Sequence, residues 1–189
     1  MSQTMKKTLF LDRDGVVNVD HGYIYQPEKF EFIDGVFDAC RAFQQAGFEI
    51  VIITNQSGIG RGYYTEQDFH QLTDWMKSEF QRQGIEILDV YFCPHHPKHA
   101  QAPYLKDCDC RKPRPGMLLQ AIEAHGLEPA QSIMVGDKPS DMQAAINAGI
   151  THKYLVTSGQ DLTEQDKSLA DEVFSDLSAL ANAILASKG

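Results

Sequence analysis

Four short stretches, far apart in this 189-residue chain, hold the residue types of a phosphate-transfer site. Phe10-Leu11-Asp12-Arg13-Asp14-Gly15 and Val135-Gly136-Asp137-Lys138-Pro139-Ser140-Asp141 each place acids directly after an apolar run. Ile53-Thr54-Asn55-Gln56-Ser57 sets a hydroxyl after such a run, and Cys110-Arg111-Lys112-Pro113 supplies cations. Asp12 and Asp14 stand two apart on extended chain, so their side chains can project to one side. Carboxylates so placed repel each other and an incoming phosphate. A divalent cation resolves that conflict, and Mg²⁺ suits it because it prefers oxygen ligands and bridges to phosphate. Asp137 offers a further hard ligand. One carboxylate can then attack phosphorus, while the other protonates the leaving alkoxide and later activates water. Thr54 and the amides around 55–57 suit phosphoryl oxygens, and Lys112 suits charge that builds in the transition state. Asp141 stays open, since an acid there also caps a following helix.

A second constellation joins Cys93, His95, Cys108 and Cys110. Three thiols and an imidazole suit tetrahedral zinc, and a full ligand set leaves no position for water. The zinc is therefore read as structural, stapling a loop without a core of its own. His96 and His99 are alternates for the histidine position. Such a staple would fix the approach of Arg111 and Lys112. Cys40 stands apart as an apolar filler.

These groups need a scaffold that gathers distant segments. Thr8–Leu11 reads as a strand that ends at the first acids. Val36, Phe37, Cys40 and Phe43 recur at helical spacing over 35–46, with Gly47 as the stop. Ile50, Val51, Ile52 and Ile53 predict a strand over 48–54 covered on both faces. Thr65 caps a helix with the stripe Phe69, Leu72, Trp75, Met76 and Phe80, ending near Gly84. A strand is expected over 85–92, an aperiodic insertion loop over 93–114 and a helix over 115–125. Then come a strand over 132–136, a helix from Ser140 or Asp141 to Gly149, and a short strand over 153–157. Residues 158–170 read as polar loop without an assignable role, and 176–186 as a final amphipathic helix. The alternation predicts an α/β fold: one domain over 1–189, with a Rossmann-like, mostly parallel sheet and helices on both faces. Such sheets bind ligands at the carboxyl ends of their strands, where Asp12, Thr54 and Asp137 fall.

A hydrophobic content of 42% supports a real core, and no apolar run reaches membrane-spanning length. The N-terminal segment lacks the pattern of a secretory signal, so a cytoplasmic, monomeric protein is expected, with metal rather than disulfide chemistry at the thiols. The net charge of −9 and the lack of a basic run argue against nucleic-acid partners.

In their order, Asp12-Arg13-Asp14-Gly15, Thr54, Lys112 and Gly136-Asp137-Lys138-Pro139-Ser140-Asp141 resemble the motifs of haloacid dehalogenase superfamily phosphatases, over about residues 8–141. The resemblance implies that Asp12 is the nucleophile, forming an aspartyl phosphate, and Asp14 the general acid/base. Mg²⁺ would be held by the Asp12 carboxylate, the Asp14 backbone carbonyl and Asp137, with Thr54 and Lys112 steadying the phosphoryl group. The Cys93-Pro94-His95 and Cys108-Asp109-Cys110 loop is similar to one in a narrow branch containing heptose bisphosphate phosphatases and histidinol-phosphatases. Asn18-Val19-Asp20-His21-Gly22-Tyr23 and Asn55-Gln56-Ser57-Gly58 match the former. The implied substrate is a small sugar bisphosphate contacted by Asp20, His21, Gly22, Tyr23, Asn55, Gln56, Ser57, Arg111 and Lys138. Arg suits planar recognition of phosphate oxygens. The expected reaction removes the 7-phosphate of D-glycero-D-manno-heptose 1,7-bisphosphate, in the supply of ADP-heptose for lipopolysaccharide core. Histidinol phosphate is the alternative substrate. A non-catalytic, zinc-stapled binding module is the alternative of another class. The branch also implies no large cap domain, and neither 18–34 nor 55–65 has room for one.

Overall fold

The computed structural model describes residues 4–185. Strand β1, Thr8–Leu11, is buried along its whole length. Helix α1 (Val36–Gln45) leads to β2 (Glu49–Asn55), a one-turn helix α2 (Ser57–Gly60), α3 (Glu66–Arg82) and β3 (Asp89–Cys93). After the cysteine loop come α4 (Gly116–His125), β4 (Ile133–Gly136), α5 (Pro139–Ala148), β5 (His152–Val156), α6 (Glu164–Lys167), β6 (Glu172–Phe174) and α7 (Leu177–Leu185).

The six strands form one sheet in the order β3-β2-β1-β4-β5-β6, and every pairing is parallel. Side chains alternate across it. Leu9, Leu11, Ile50 and Ile52 pack with Val36, Phe43, Leu72, Met76, Phe80 and Leu180 on one face. Phe10, Val51 and Ile53 pack with Met117, Leu118, Met142 and Ala145 on the other. The period of two thus gives each face its own helical layer, and both layers exclude water from the central strands. The order of strand addition switches sides at β1, which has β2 on one side and β4 on the other. That switch point opens a crevice at the carboxyl ends of the strands. Leu11 lies opposite both Ile52 and Val135, so the residues after β1 and β4 emerge side by side.

The expected α/β architecture is present, with local differences. The strand expected over 85–92 pairs only from Asp89, because Ile85 and Ile87 anchor in the core ahead of the ladder. Helix α5 begins at Pro139, ahead of Ser140, since proline's fixed φ suits the first helical turn. The stretch 158–170 is not all loop. A Thr163–Asp166 capping box starts α6, and a sixth strand follows, too short to show periodicity. The final helix runs Leu177–Leu185, and residue 186 lies outside the described residues.

Candidate active site

Asp12 follows β1 directly and is almost wholly buried. Its Oδ1 accepts from the Arg13 amide at 2.9 Å and from Lys112 Nζ at 3.0 Å. The same ammonium donates to the Ile53 carbonyl at 2.9 Å and pairs with Asp141 Oδ1 at 2.6 Å. Burial alone would lower the pKa of Lys112, but Asp12 and Asp141 outweigh it and hold the group well above the usual lysine range. Burial likewise opposes ionisation of Asp12, and its neighbours, Lys112 first with Asp137 and Lys138, together outweigh it, so the carboxyl lies below its usual range. A buried carboxylate beside a buried cation is the form a nucleophile requires.

Asp137 follows β4 and is fully buried, yet neither of its carboxyl oxygens has a hydrogen-bond partner. Burial and the charges of Asp12 and Asp141 push its pKa up. Two glycines press on it. A Cβ at Gly15 would stand 2.3 Å from Asp137 Oδ2, and one at Gly159 only 2.1 Å away. Oxygens of Asp12, Asp137 and Asp141 lie within 4.8 Å of one another. Asp141 is already engaged, since its Oδ2 accepts from the Asp137 and Lys138 amides. Asp137 therefore stands as a desolvated acid without compensation, which a hard divalent cation would provide. The donor set fits Mg²⁺ through Asp12 and Asp137.

The Asp14 carboxylate is not part of that acid cluster. Its Oδ1 accepts from Arg13 and from Asn18 Nδ2 at 3.0 Å, and its Oδ2 from Gln56 Nε2 at 3.1 Å. The buried Arg13 guanidinium also donates to the Ile24 carbonyl. Thr54 is fully buried, and its Oγ1 accepts from Gln56 Nε2 at 2.8 Å.

A cleft of about 570 Å³ opens beside Asp14 and Lys112, and Asp12, Thr54 and Asp137 are not among its lining residues. Asp14, Asp20, Gly22, Tyr23, Asn55, Gln56, Ser57, Arg111, Lys112 and Lys138 line it, as do Arg61 and Tyr64, which were not among the expected contacts. Arg111 Nη1 is buried there without a partner. His21 is not among the lining residues, and its Nε2 lies 2.8 Å from Glu31 Oε2, beside a separate depression. The Asn55 amide is engaged too, since it exchanges hydrogen bonds with the backbone N–H and C=O of Lys112.

The cysteine loop assembles the second cluster. Cys93 Sγ lies 2.8 Å from Cys110 Sγ and 3.4 Å from Cys108 Sγ, and His95 Nδ1 lies 3.4 Å from Cys110 Sγ. All four atoms lie within 4.8 Å of one another, a set able to hold a metal ion. His96 is occupied elsewhere, with Nδ1 accepting from the Lys98 and His99 amides. The loop seats on α2, where the Gln101 amide donates to the Gly60 carbonyl at 2.7 Å.

The sequence leaves Asp141 open and assigns Arg13 and Gly159 no role. Asp141 looked like a helix cap, and it both caps α5 and pairs with Lys112. Arg13 turns back onto the acid that follows it and donates to Asp14 Oδ1 at 3.0 Å. Gly159 lies in a polar stretch without periodicity, so nothing in the sequence linked it to Asp137.

The HAD-hydrolase-like family model matches residues 109–180. The D-glycero-β-D-manno-heptose-1,7-bisphosphate 7-phosphatase of Yersinia pestis is 50% identical, over 94% of this chain and 95% of that protein. The protein of that name from Escherichia coli (strain K12) is 47% identical, over 93% and 92%. A crystal structure of the D,D-heptose 1,7-bisphosphate phosphatase from B. bronchiseptica, complexed with magnesium and phosphate, superposes with a TM-score of 0.81. It is 31% identical and covers 96% of this chain and 99% of that one. The chain belongs to the phosphatase family of these relatives, within the haloacid dehalogenase-like hydrolases. Its class of activity is phosphoric monoester hydrolysis. Among the described residues, no helix is long and apolar enough to cross a membrane.

Proposed function

We propose that the protein is a Mg²⁺-dependent phosphatase that removes the 7-phosphate of D-glycero-β-D-manno-heptose 1,7-bisphosphate and leaves the 1-phosphate, in the supply of ADP-heptose for lipopolysaccharide core. The names of the relatives support the substrate. The observation that carries the chemistry is Asp12, held ionised by Lys112 next to an orphaned Asp137.

In this reading Asp12 attacks phosphorus, and the bond to the sugar oxygen breaks as that oxygen takes a proton from Asp14. Water then gives a proton to Asp14 as its oxygen attacks the aspartyl phosphate, releasing phosphate and restoring both acids. Thr54 and Lys112 steady the phosphoryl oxygens. Mg²⁺, when bound at Asp12, Asp137 and the Asp14 carbonyl, supplies charge neutralisation. Arg61, Arg111 and Lys138 give the cleft cations for a second dianionic end. Zinc at Cys93, His95, Cys108 and Cys110 is structural.

The test is phosphate release with Mg²⁺ from the heptose bisphosphate and from histidinol phosphate, side by side. A higher kcat/KM on the sugar is expected. Faster turnover of histidinol phosphate overturns the substrate, and no release from either overturns the enzyme.

A further inference from the structure

A buried tyrosine outside all the sequence motifs reaches the acid/base carboxylate through one side chain. Tyr64 lies between α2 and α3 and is 5% exposed. Its hydroxyl donates to Gln56 Oε1. The amide nitrogen of Gln56 then points the other way and donates to Asp14 Oδ2 at 3.1 Å and Thr54 Oγ1 at 2.8 Å. The polarity of this chain is fixed. An ionised Asp14 only accepts, so the Gln56 nitrogen must face it, and the Gln56 oxygen needs a donor behind it. Tyr64 is that donor. Burial pushes the phenol pKa up, so it keeps its proton.

The ring is held as firmly as the hydroxyl. Tyr25 stacks on it with centroids 5.3 Å apart and planes 9° from parallel. A Cβ at position 58 would stand 2.3 Å from the Tyr64 ring, so glycine there admits it. On Asp14, Oδ1 is loaded by Arg13 Nε, Arg13 Nη2 and Asn18. Oδ2 receives Gln56 and a longer contact of 3.2 Å from Arg13. Oδ2 carries two donors against three on Oδ1, so it is the oxygen that can take up a proton by giving up the longer Arg13 contact, and Gln56 sets its direction.

We propose that Tyr64 is a positioning residue that acts through Gln56 to aim Asp14 Oδ2 at the leaving oxygen. The inference rests on the reading of Asp14 as general acid. Without the hydroxyl, Gln56 Oε1 is left buried and unpaired, and the amide is no longer held from behind against Asp14 and Thr54.

The test uses phosphate esters that differ in their need for that proton. Phenoxide leaves poorly unprotonated, whereas 2,4-dinitrophenolate leaves well. kcat/KM reports only steps through formation of the aspartyl phosphate. For Tyr64→Phe, kcat/KM on phenyl phosphate should fall about tenfold, a fraction of the ~10²- to 10⁴-fold that general acid–base catalysis supplies. On 2,4-dinitrophenyl phosphate it should change less than about twofold, because no proton transfer contributes there. Gln56→Met, which removes the amide and its bond to Thr54 as well, should lose phenyl phosphate more than 2,4-dinitrophenyl phosphate and serves if Tyr64→Phe folds poorly. Asp14→Asn separates the two claims. If it is selective and the Tyr64 and Gln56 variants lose both esters equally, or neither, the positioning role is wrong. If Asp14→Asn loses both esters equally, the general-acid reading fails and the inference fails with it.

Discussion

Lys112 and Asp141 meet at 2.6 Å in the interior, both essentially closed to water. The lysine comes from the cysteine loop and the acid from the first turn of α5, so one ion pair locks two segments at the strand ends. Removing one partner strands part of a buried charge. Asp141→Ala should cost on the order of 3 kcal/mol, read by urea denaturation. It should also lower kcat, because Lys112 is then free to shift from Asp12. An unchanged denaturation midpoint would show that the pair is not structural.

Asp12→Asn keeps the shape of the side chain and removes the attacking charge. Phosphate release should drop by at least ~10³-fold. Circular dichroism should remain that of the wild type, since Asn still accepts from Lys112 and the Arg13 amide. Residual turnover within tenfold of the wild type would exclude Asp12 as nucleophile.

Asp137 links metal and pH. Its folded-state pKa is raised by burial and by Asp12 and Asp141. A raised carboxyl favours the fold below the ordinary carboxylate range and opposes it as pH rises past that range, because the unfolded chain ionises more easily. Metal-free wild type should therefore lose stability, relative to Asp137→Asn, between about pH 4 and 9. Saturating Mg²⁺ should restore it, by about 2.7 kcal/mol at a hundredfold excess over Kd. Asp137→Asn should show no such gain. Thermal melts with and without Mg²⁺ across that pH range measure both effects. An equal Mg²⁺ shift in the two proteins would place the ion elsewhere.

The thiol cluster should carry one zinc per chain, measured by elemental analysis of the purified protein. Cys110→Ser should lose it and lower kcat/KM, since Arg111 and Lys112 follow Cys110 directly. The far-ultraviolet dichroism should change little, because this loop adds no helix or strand to the sheet. Full activity in a zinc-free variant would make the staple dispensable.

Some of this was legible in the chain and some was not. Strand β1 could be read because three buried apolar residues after Thr8 stop abruptly at two acids. The cysteine loop could be read because soft ligands crowd an aperiodic stretch. Asp137 was legible by position, directly after a buried run. The orientation of Asp14 was not, because nothing in the local spacing shows that Arg13, its own neighbour, folds back to bind it. His21 sat beside Asp20 and Gly22 in sequence, yet it turns to Glu31, a partner ten residues on. Tyr64 lies outside every motif, and the turn after α2, closed by the Tyr63 amide on the Gly58 carbonyl, with Tyr25 stacked on the ring, brings it to Gln56. Groups that act on their own strand end can be read, whereas groups that act through a neighbour's side chain require the fold.

Asn55 gives and receives one hydrogen bond with the backbone of Lys112. The sheet thus grips the cysteine loop by its main chain, whatever side chains the loop displays. Transplanting such a loop between homologues should succeed when this tongue-and-socket joint travels intact. A graft that keeps the thiols but loses the asparagine would hold its metal and still present its cations out of line.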